Sequence, residues 1–468
     1  MSTRRSMLRI DFSDTLTATD YIATVALLLP IALLLNCWHP LNGDEGVTLT
    51  GAWNMLHGKH LYVDFFQYEA PGAYIYTWIS FLLFGATYWS AKVPAIALLS
   101  GSGVAVAFVA QRLGARGPSC FGAALAWIVF ASLPGIIVNH NSLSAFVAAI
   151  ALASTVYACD APDRFAPWPI AGLTTGLVPI FHQSKGLFLI ASMAIPLAVI
   201  VSRKHVRATF VVALLAAMAV PLVTVCLVWS PQLLYERVVA WPSHHYLHVG
   251  PVGPLPFVAA AILFAALALP AWRSEGARSR DRAALSLVLA AQSGLLLSSI
   301  SRSDVDHILF NVFPLCALAA RVFDDVRAQV RRRWAVVVWS VLAVMIAWRT
   351  ATNYQLSAAR LAILDALRAK AITRFYAEPF VPQLYFELGA DNPYPYSHVL
   401  TSMYTDDQFA ATVTILERER PPFVLRNRST VENFHYDWSN QLDRWIDEHY
   451  ARVDEIGNLE ILAPRAPP

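Results

Sequence analysis

The sequence predicts a mainly α-helical, polytopic membrane bundle of about eleven spans carrying a small extracytoplasmic α/β domain at its C-terminal end. Three observations predict it. The chain of 468 residues is 56% hydrophobic and only 14% charged, too apolar for water-facing domains of that total length. Apolar runs approaching the roughly 20 residues needed to cross a bilayer recur along it. After Trp348 the texture changes, and residues 350–468 mix polar and apolar positions without a long apolar run.

The expected spans centre on Tyr21–Trp38, Trp89–Ala110, Ser119–Val138, Leu143–Ala158, Trp168–Phe181, Gly186–Val201, Ala208–Val228, Pro254–Trp272, Ala283–Ile300, Ile308–Ala320 and Trp334–Trp348. Basic clusters occupy alternate connections: Arg4/Arg5/Arg9, Arg112/Arg116, Arg203/Lys204/Arg207, Arg273/Arg278/Arg280/Arg282 and Arg327/Arg331/Arg332/Arg333. The other connections carry mostly single basic residues, such as Lys59, Lys185, Arg237 and Arg302. The positive-inside rule then puts the N-terminus in the cytoplasm and, with an odd number of spans, the C-terminus outside. The first span is read as retained, because no small-residue cleavage site follows it.

Pro71–Gly85 is apolar but short and opens with Pro-Gly. Were it a span, every later basic cluster would be inverted, so it is expected to be an interfacial or re-entrant helix on the outer side. The domains are then residues 1–349, with a first external loop at 39–88, and residues 350–468. In the second, Gln355–Lys370 has helical spacing, and Thr405-Asp406-Asp407-Gln408 has the spacing of a capping box ahead of Phe409–Glu419. Phe423-Val424-Leu425 reads as a strand, Asp437–His449 as a helix, and Ala451–Ile456 with Asn458–Leu462 as a hairpin around Gly457.

Composition excludes some functions. A net charge of +3 does not point to a nucleic-acid partner. The five cysteines, Cys37, Cys120, Cys159, Cys226 and Cys316, lie in or beside apolar runs without metal-ligand or disulfide spacing. Walker, GxGxxG, zincin and nucleophile-elbow patterns are absent.

The chemistry concentrates in a polar island after the first span: Asn42-Gly43-Asp44-Glu45-Gly46, then Leu61 to Pro71. It holds Asp44, Glu45, Asp64 and Glu69. Carboxylates beside a membrane span are costly without a task. Asp44 reads as a general base at the membrane face, or as the N-cap of a helix over Val47–His57. Asp64 reads alone as a solvated loop acid. Glu69 precedes an apolar segment and needs a partner there, whether substrate or metal. Lys185 is either a point charge for a lipid phosphate or a snorkelling helix-end lysine. Arg302, in Arg302-Ser303-Asp304-Val305-Asp306-His307, is a phosphate or carboxylate clamp, an ion-pair partner of Asp304 or Asp306, or both. His244, His245 and His248 could bind a divalent metal, jointly with Glu69, or line a membrane-surface loop. No cofactor is expected with certainty; a divalent metal ion is the candidate.

As a block, Asp44-Glu45-Gly46, Gly58, Tyr62-Val63-Asp64-Phe65 and Tyr68-Glu69-Ala70-Pro71 resemble the GT-C membrane glycosyltransferases. More narrowly they resemble the bacterial branch related to protein O-mannosyltransferases and the lipid A aminoarabinose transferase. The Arg302-to-His307 stretch is similar to GT-C sequences at the same place. The resemblance implies an inner-membrane enzyme that moves a sugar from a polyprenyl-phosphate donor to a glycan, lipid or protein hydroxyl on the outer side, with inversion. It implies Asp44 as the catalytic residue and Glu69 as a substrate- or metal-contacting carboxylate. Glu45, Asp64, Lys185, Arg302, His307, Asn139 and Asn141 are the further candidate substrate contacts. Two departures stand out: the loop Val138-Asn139-His140-Asn141-Ser142 carries no acid, and Ala70 follows Glu69 where some relatives have Lys. The competing reading is a transporter or flippase of lipid-linked sugars, which the near absence of charge inside the spans opposes. A non-catalytic membrane scaffold leaves the acidic island unexplained.

Overall fold

A computed structural model describes residues 16–39, 42–245, 253–273, 279–326 and 328–465. Each expected span contains a helix, and Ile308–Ala320 is broken at 310–312 between two of them. Seven of the described helices are long and apolar enough to cross a membrane: α1 (Ala18–Asn36), α4 (Tyr88–Arg112), α6 (His140–Asp160), α8 (Gln183–Arg203), α9 (Ala208–Val228), α12 (Leu255–Arg273) and most of α16 (Ala328–Ala369). The other four expected runs form α5 (Gly117–Ser132), α7 (Pro167–Phe181), α13 (Ser279–Ser298) and α15 (Phe313–Asp324). Short helices α10 (Pro231–Leu234), α11 (Trp241–His245) and α14 (Val305–Leu309) lie in the connections between them. Helices α4 and α6 form the centre of the bundle and α9 and α12 its apolar outside, where Val212, Leu215, Val220, Val223 and Leu227 are exposed. Such a surface suits lipid, and helices close their own backbone hydrogen bonds there.

Where helices cannot gain from hydrophobic burial, small residues let backbones close in. Gly172 and Gly176 of α7 lie four apart, and a Cβ added at either would sit 2.1 Å from the Leu214 carbonyl oxygen or 2.2 Å from that of Met218 in α9.

Two short helices flank the polar island. In α2 (Gly43–Leu56), Asn42 is the cap, its side chain accepting from Glu45 N at 2.9 Å. This overturns the capping alternative for Asp44, which lies inside the first turn with its carboxylate unused by the cap. Helix α3 (Gly72–Phe84) has 13 residues; at 1.5 Å per residue it spans about 20 Å, short of the roughly 30 Å hydrocarbon core.

The C-terminal region holds a four-stranded sheet in the order β1 (Tyr376–Glu378), β2 (Val424–Arg426), β4 (Leu459–Pro464), β3 (Tyr450–Ile456). β1 runs parallel to β2, and the remaining pairs are antiparallel. Thr405 and Gln408 form the expected capping box of α18 (Asp406–Glu419), and Gly457 turns the β3–β4 hairpin at φ +60°. α19 (Gln441–His449) is capped by Asn440. The expected amphipathic helix at Gln355–Lys370 is no separate element: α16 runs 42 residues without a break through position 349, from the last span into this region.

This region is packed onto the polar island. Gly43 faces the Phe380 ring and Gly46 faces Gln383 of the one-turn helix α17 (Gln383–Glu387), each so closely that an added Cβ would lie 2.2 and 2.7 Å away. Thr50 Oγ1 donates to the Pro382 carbonyl at 2.8 Å. The two glycines of the Asn42–Gly46 stretch are therefore contact residues for the C-terminal region.

Candidate active site

The site is assembled where the island, the starts of α6 and α8 and the loop before α15 converge. Glu69 is its anchor. Its Oε1 lies 3.1 Å from His140 Nδ1, and its Oε2 accepts the Tyr74 hydroxyl at 2.8 Å. Burial raises a carboxyl pKa, but His140 and the Tyr74 hydroxyl outweigh it and hold Glu69 below its ordinary value.

From Glu69 the polar contacts run on as a chain. Asn141 Nδ2 lies 3.1 Å from His140 Nε2 and 3.3 Å from His307 Nε2. Their other ring nitrogens, Nδ1, face Glu69 in His140 and Asp304 Oδ1 at 2.6 Å in His307. Asp304 Oδ2 continues the chain to Arg302 Nε at 3.0 Å. Burial works to raise the Asp304 pKa, but the His307 hydrogen bond and charge and the Arg302 guanidinium bring it well below the usual carboxylate range. Arg302 also lies over the Phe434 ring at 5.3 Å.

Asp44 stands against this chain. Its surface is accessible, so it lines an opening, yet protein surrounds it closely enough that burial raises its pKa. Arg302, His140 and His307 oppose that rise, and Glu69 adds to it. Lys185, in the first turn of α8, is buried and donates from Nζ to the Asn141 carbonyl at 3.0 Å. The His182 ring beside it lies 5.2 Å from that of His140. Thus Asp44, Glu69, Lys185, Arg302, His307 and Asn141 come together.

The remaining candidates lie apart from this group. Glu45 is fully buried; Oε1 accepts from Ile137 N at 2.9 Å and Val138 N at 3.2 Å, and Oε2 from the Tyr88 hydroxyl at 3.3 Å. It fixes the loop that delivers His140. Asn139 caps α6, taking Ser142 N at 2.9 Å. Asp64 is exposed, and its carboxylate takes the His60 amide at 2.6 Å.

The metal set is not assembled. His244 Nδ1 faces the Ala240 carbonyl at 2.7 Å, and His245 stacks on Trp241 with ring centroids 3.9 Å apart. Among the described residues no three His, Cys, Asp or Glu are grouped to hold a metal ion; His248 lies outside them.

The structure adds groups the sequence did not single out. Tyr74 follows Glu69 into α3. His398, buried in the C-terminal region, interacts electrostatically with Glu69, and burial lowers its pKa to about 4. It arrives on a segment sewn to the island: Lys59 Nζ donates to Asn392 O at 2.5 Å, Phe66 N to Pro395 O at 2.7 Å and Gln67 Nε2 to Ser397 Oγ at 3.2 Å. No local pattern announces such a segment.

The opposite end of the bundle is basic. Arg112 pairs with Asp160 at 3.2 Å where α4 and α6 end, and Lys204 donates to Cys159 O at 2.6 Å after α8. Helix direction therefore puts these basic clusters one membrane thickness from the site.

No family model matches the chain, and no curated protein matches it in sequence. Among solved structures it is similar to ArnT from Cupriavidus metallidurans bound to undecaprenyl phosphate, with a TM-score of 0.62 at 15% identity over 96% of this chain and 98% of that one. For ArnT of the same organism in the apo state the values are 0.60, 17%, 95% and 98%. The expected fold class is thus the observed one: the chain has the fold of these structures over nearly its whole length.

Proposed function

We propose that this GT-C-fold protein is a membrane glycosyltransferase. It takes a sugar from a polyprenyl-phosphate donor and joins it to an acceptor hydroxyl at the outer face of the inner membrane. The observation that carries this reading is Asp44: a carboxylate open to the site, raised in pKa, and set among Arg302, His140, Glu69 and His307. A base works best when its pKa is moved towards the working pH. The undecaprenyl phosphate bound to the structural neighbour supports the class of donor.

In this reading Asp44 takes the acceptor hydroxyl proton as that oxygen attacks the anomeric carbon. The new bond forms on the face opposite the bond that breaks, between the anomeric carbon and the phosphate oxygen. The configuration inverts, and polyprenyl phosphate leaves with one more negative charge. Lys185, buried and hydrogen-bonded to a neutral carbonyl, and Arg302 are the cations placed to stabilise that charge. Glu69, held on both oxygens, orients a donor-sugar hydroxyl. The basic clusters at the far end support a cytoplasmic location for that end and an outside location for the site and the C-terminal region. Residues 1–349 carry the membrane catalytic unit and residues 350–468 its outer cover.

The test is sugar transfer by purified protein from a synthetic polyprenyl-phosphate sugar to extracted envelope glycans, lipids and proteins. Transfer by wild type and none by Asp44→Asn is expected. Equal turnover by a folded Asp44→Asn protein would remove Asp44 as the base.

A further inference from the structure

Beside the His398 segment and Phe434, which border the candidate site, the C-terminal region carries an open cleft of about 660 Å³, within the range of small-molecule sites. Its walls come from α18, α19 and the turns before them. Asp406, Asp437 and Arg444 give it charge, and the buried rings of Tyr404 and Phe409 lie in its floor.

Several of these groups are available to a ligand. Among the described residues neither the Asp406 carboxylate nor the Arg444 guanidinium has a hydrogen-bond or ion-pair partner, and both residues are exposed. His435, held at φ +50°, also lines it. Planar carboxylate and guanidinium groups can each bind two neighbouring hydroxyls at once. Two carboxylates against one guanidinium disfavour a phosphate or other anion, and the polar walls offer little to a lipid chain.

The cleft adjoins the site. Its wall residue Tyr404 has its hydroxyl 3.4 Å from Nε2 of His398, the residue that acts on Glu69. The neighbour of His435, Phe434, lies under Arg302. A chain lodged in the cleft would lie against both segments that border the catalytic opening.

We propose that this cleft is an acceptor subsite, binding neutral or amino-sugar residues of a glycan next to the one that is glycosylated. Its place in catalysis rests on the transferase reading; its ligand chemistry does not.

The full chain, purified in a detergent without a sugar headgroup, is examined by saturation-transfer NMR with three probes: maltotriose, chitotriose and a trigalacturonate. Maltotriose or chitotriose is expected to bind and trigalacturonate not to. Arg444→Ala and Asp406→Asn, two surface changes, are each expected to weaken that binding at least tenfold and to leave undecaprenyl phosphate binding unchanged. The proposal is overturned if neither neutral nor amino probe binds at millimolar concentration, if both variants bind like wild type, or if trigalacturonate binds best. Failure of the transferase reading is seen separately, as wild-type protein that does not bind undecaprenyl phosphate or transfer sugar.

Discussion

Glu69 of the first polar island and His140 at the start of α6 meet at 3.1 Å. That contact joins the island to the chain of Asn141, His307, Asp304 and Arg302. It also makes Glu69 dependent on two partners for its charge and its direction.

Glu69→Gln retains the shape but loses the charge that faces His140. Misplacing a positioning group costs about a hundredfold, and kcat/KM is expected to fall by about that much. Tyr74→Phe removes one hydrogen bond to a charged group, worth about 1.5 kcal/mol, or tenfold. Steady-state kinetics of the two variants would check the order; activity in Glu69→Gln equal to wild type would place Glu69 outside the reaction.

In the proposed reaction the raised pKa of Asp44 sets the pH dependence. The base works when deprotonated, so activity is present above its pKa and is lost as pH falls through it. Burial raises that value, so the acid limb of kcat/KM should lie above the ordinary aspartate range of about 4. Arg302 holds the value down, so Arg302→Met should move the limb to still higher pH. A limb that stays fixed when Arg302 is replaced would assign it to another group.

Lys185 is buried, and the hydrogen bond seen from its Nζ goes to a neutral carbonyl, Asn141 O. A charge-assisted bond to phosphate is worth about 1.5–3 kcal/mol. Lys185→Met should therefore weaken undecaprenyl phosphate binding by roughly ten- to a hundredfold with little change in melting temperature. Undiminished binding, measured by titration in detergent, would return Lys185 to a helix-end role.

The C-terminal region depends on Arg426, which is buried with Glu378 and reaches Asp447 at 2.7 Å and Asp443 at 3.6 Å. Breaking such a buried group by removing one partner costs about 3–5 kcal/mol. Arg426→Met should destabilise this region and, because its His398 segment is hydrogen-bonded to the island beside Glu69, lower activity as well. Denaturant unfolding followed through the region's tryptophans would reveal it; a midpoint equal to wild type would show that the cluster contributes nothing.

The helices were legible because their signals are local. Each apolar run satisfies its own backbone hydrogen bonds, and Thr405 with Gln408 or Gly457 decides its turn from neighbouring residues alone. The long helix α16 shows the limit. Its hydropathy changes near Trp348 while its backbone does not, so composition marks a change of surroundings and not of structure. Asn42 also took the cap that Asp44 could have filled, a choice that spacing leaves open.

By itself, then, the sequence determined a bundle of membrane helices, a small α/β region after it, and a polar island rich in carboxylates between the first apolar runs. Tertiary structure decided which of those carboxylates lie in the candidate site. Glu45 is spent on the Ile137 and Val138 amides and Asp64 on His60, whereas Glu69 meets His140, and Asp44 keeps its oxygens open. It also brought in Lys185, Arg302 and His398, each more than a hundred positions from the island. The physical reason is that hydropathy fixes where each helix lies in the bilayer, whereas contacts among helix ends depend on how the helices pack. Close approaches such as Gly46 on Gln383 exist only once the whole chain has folded.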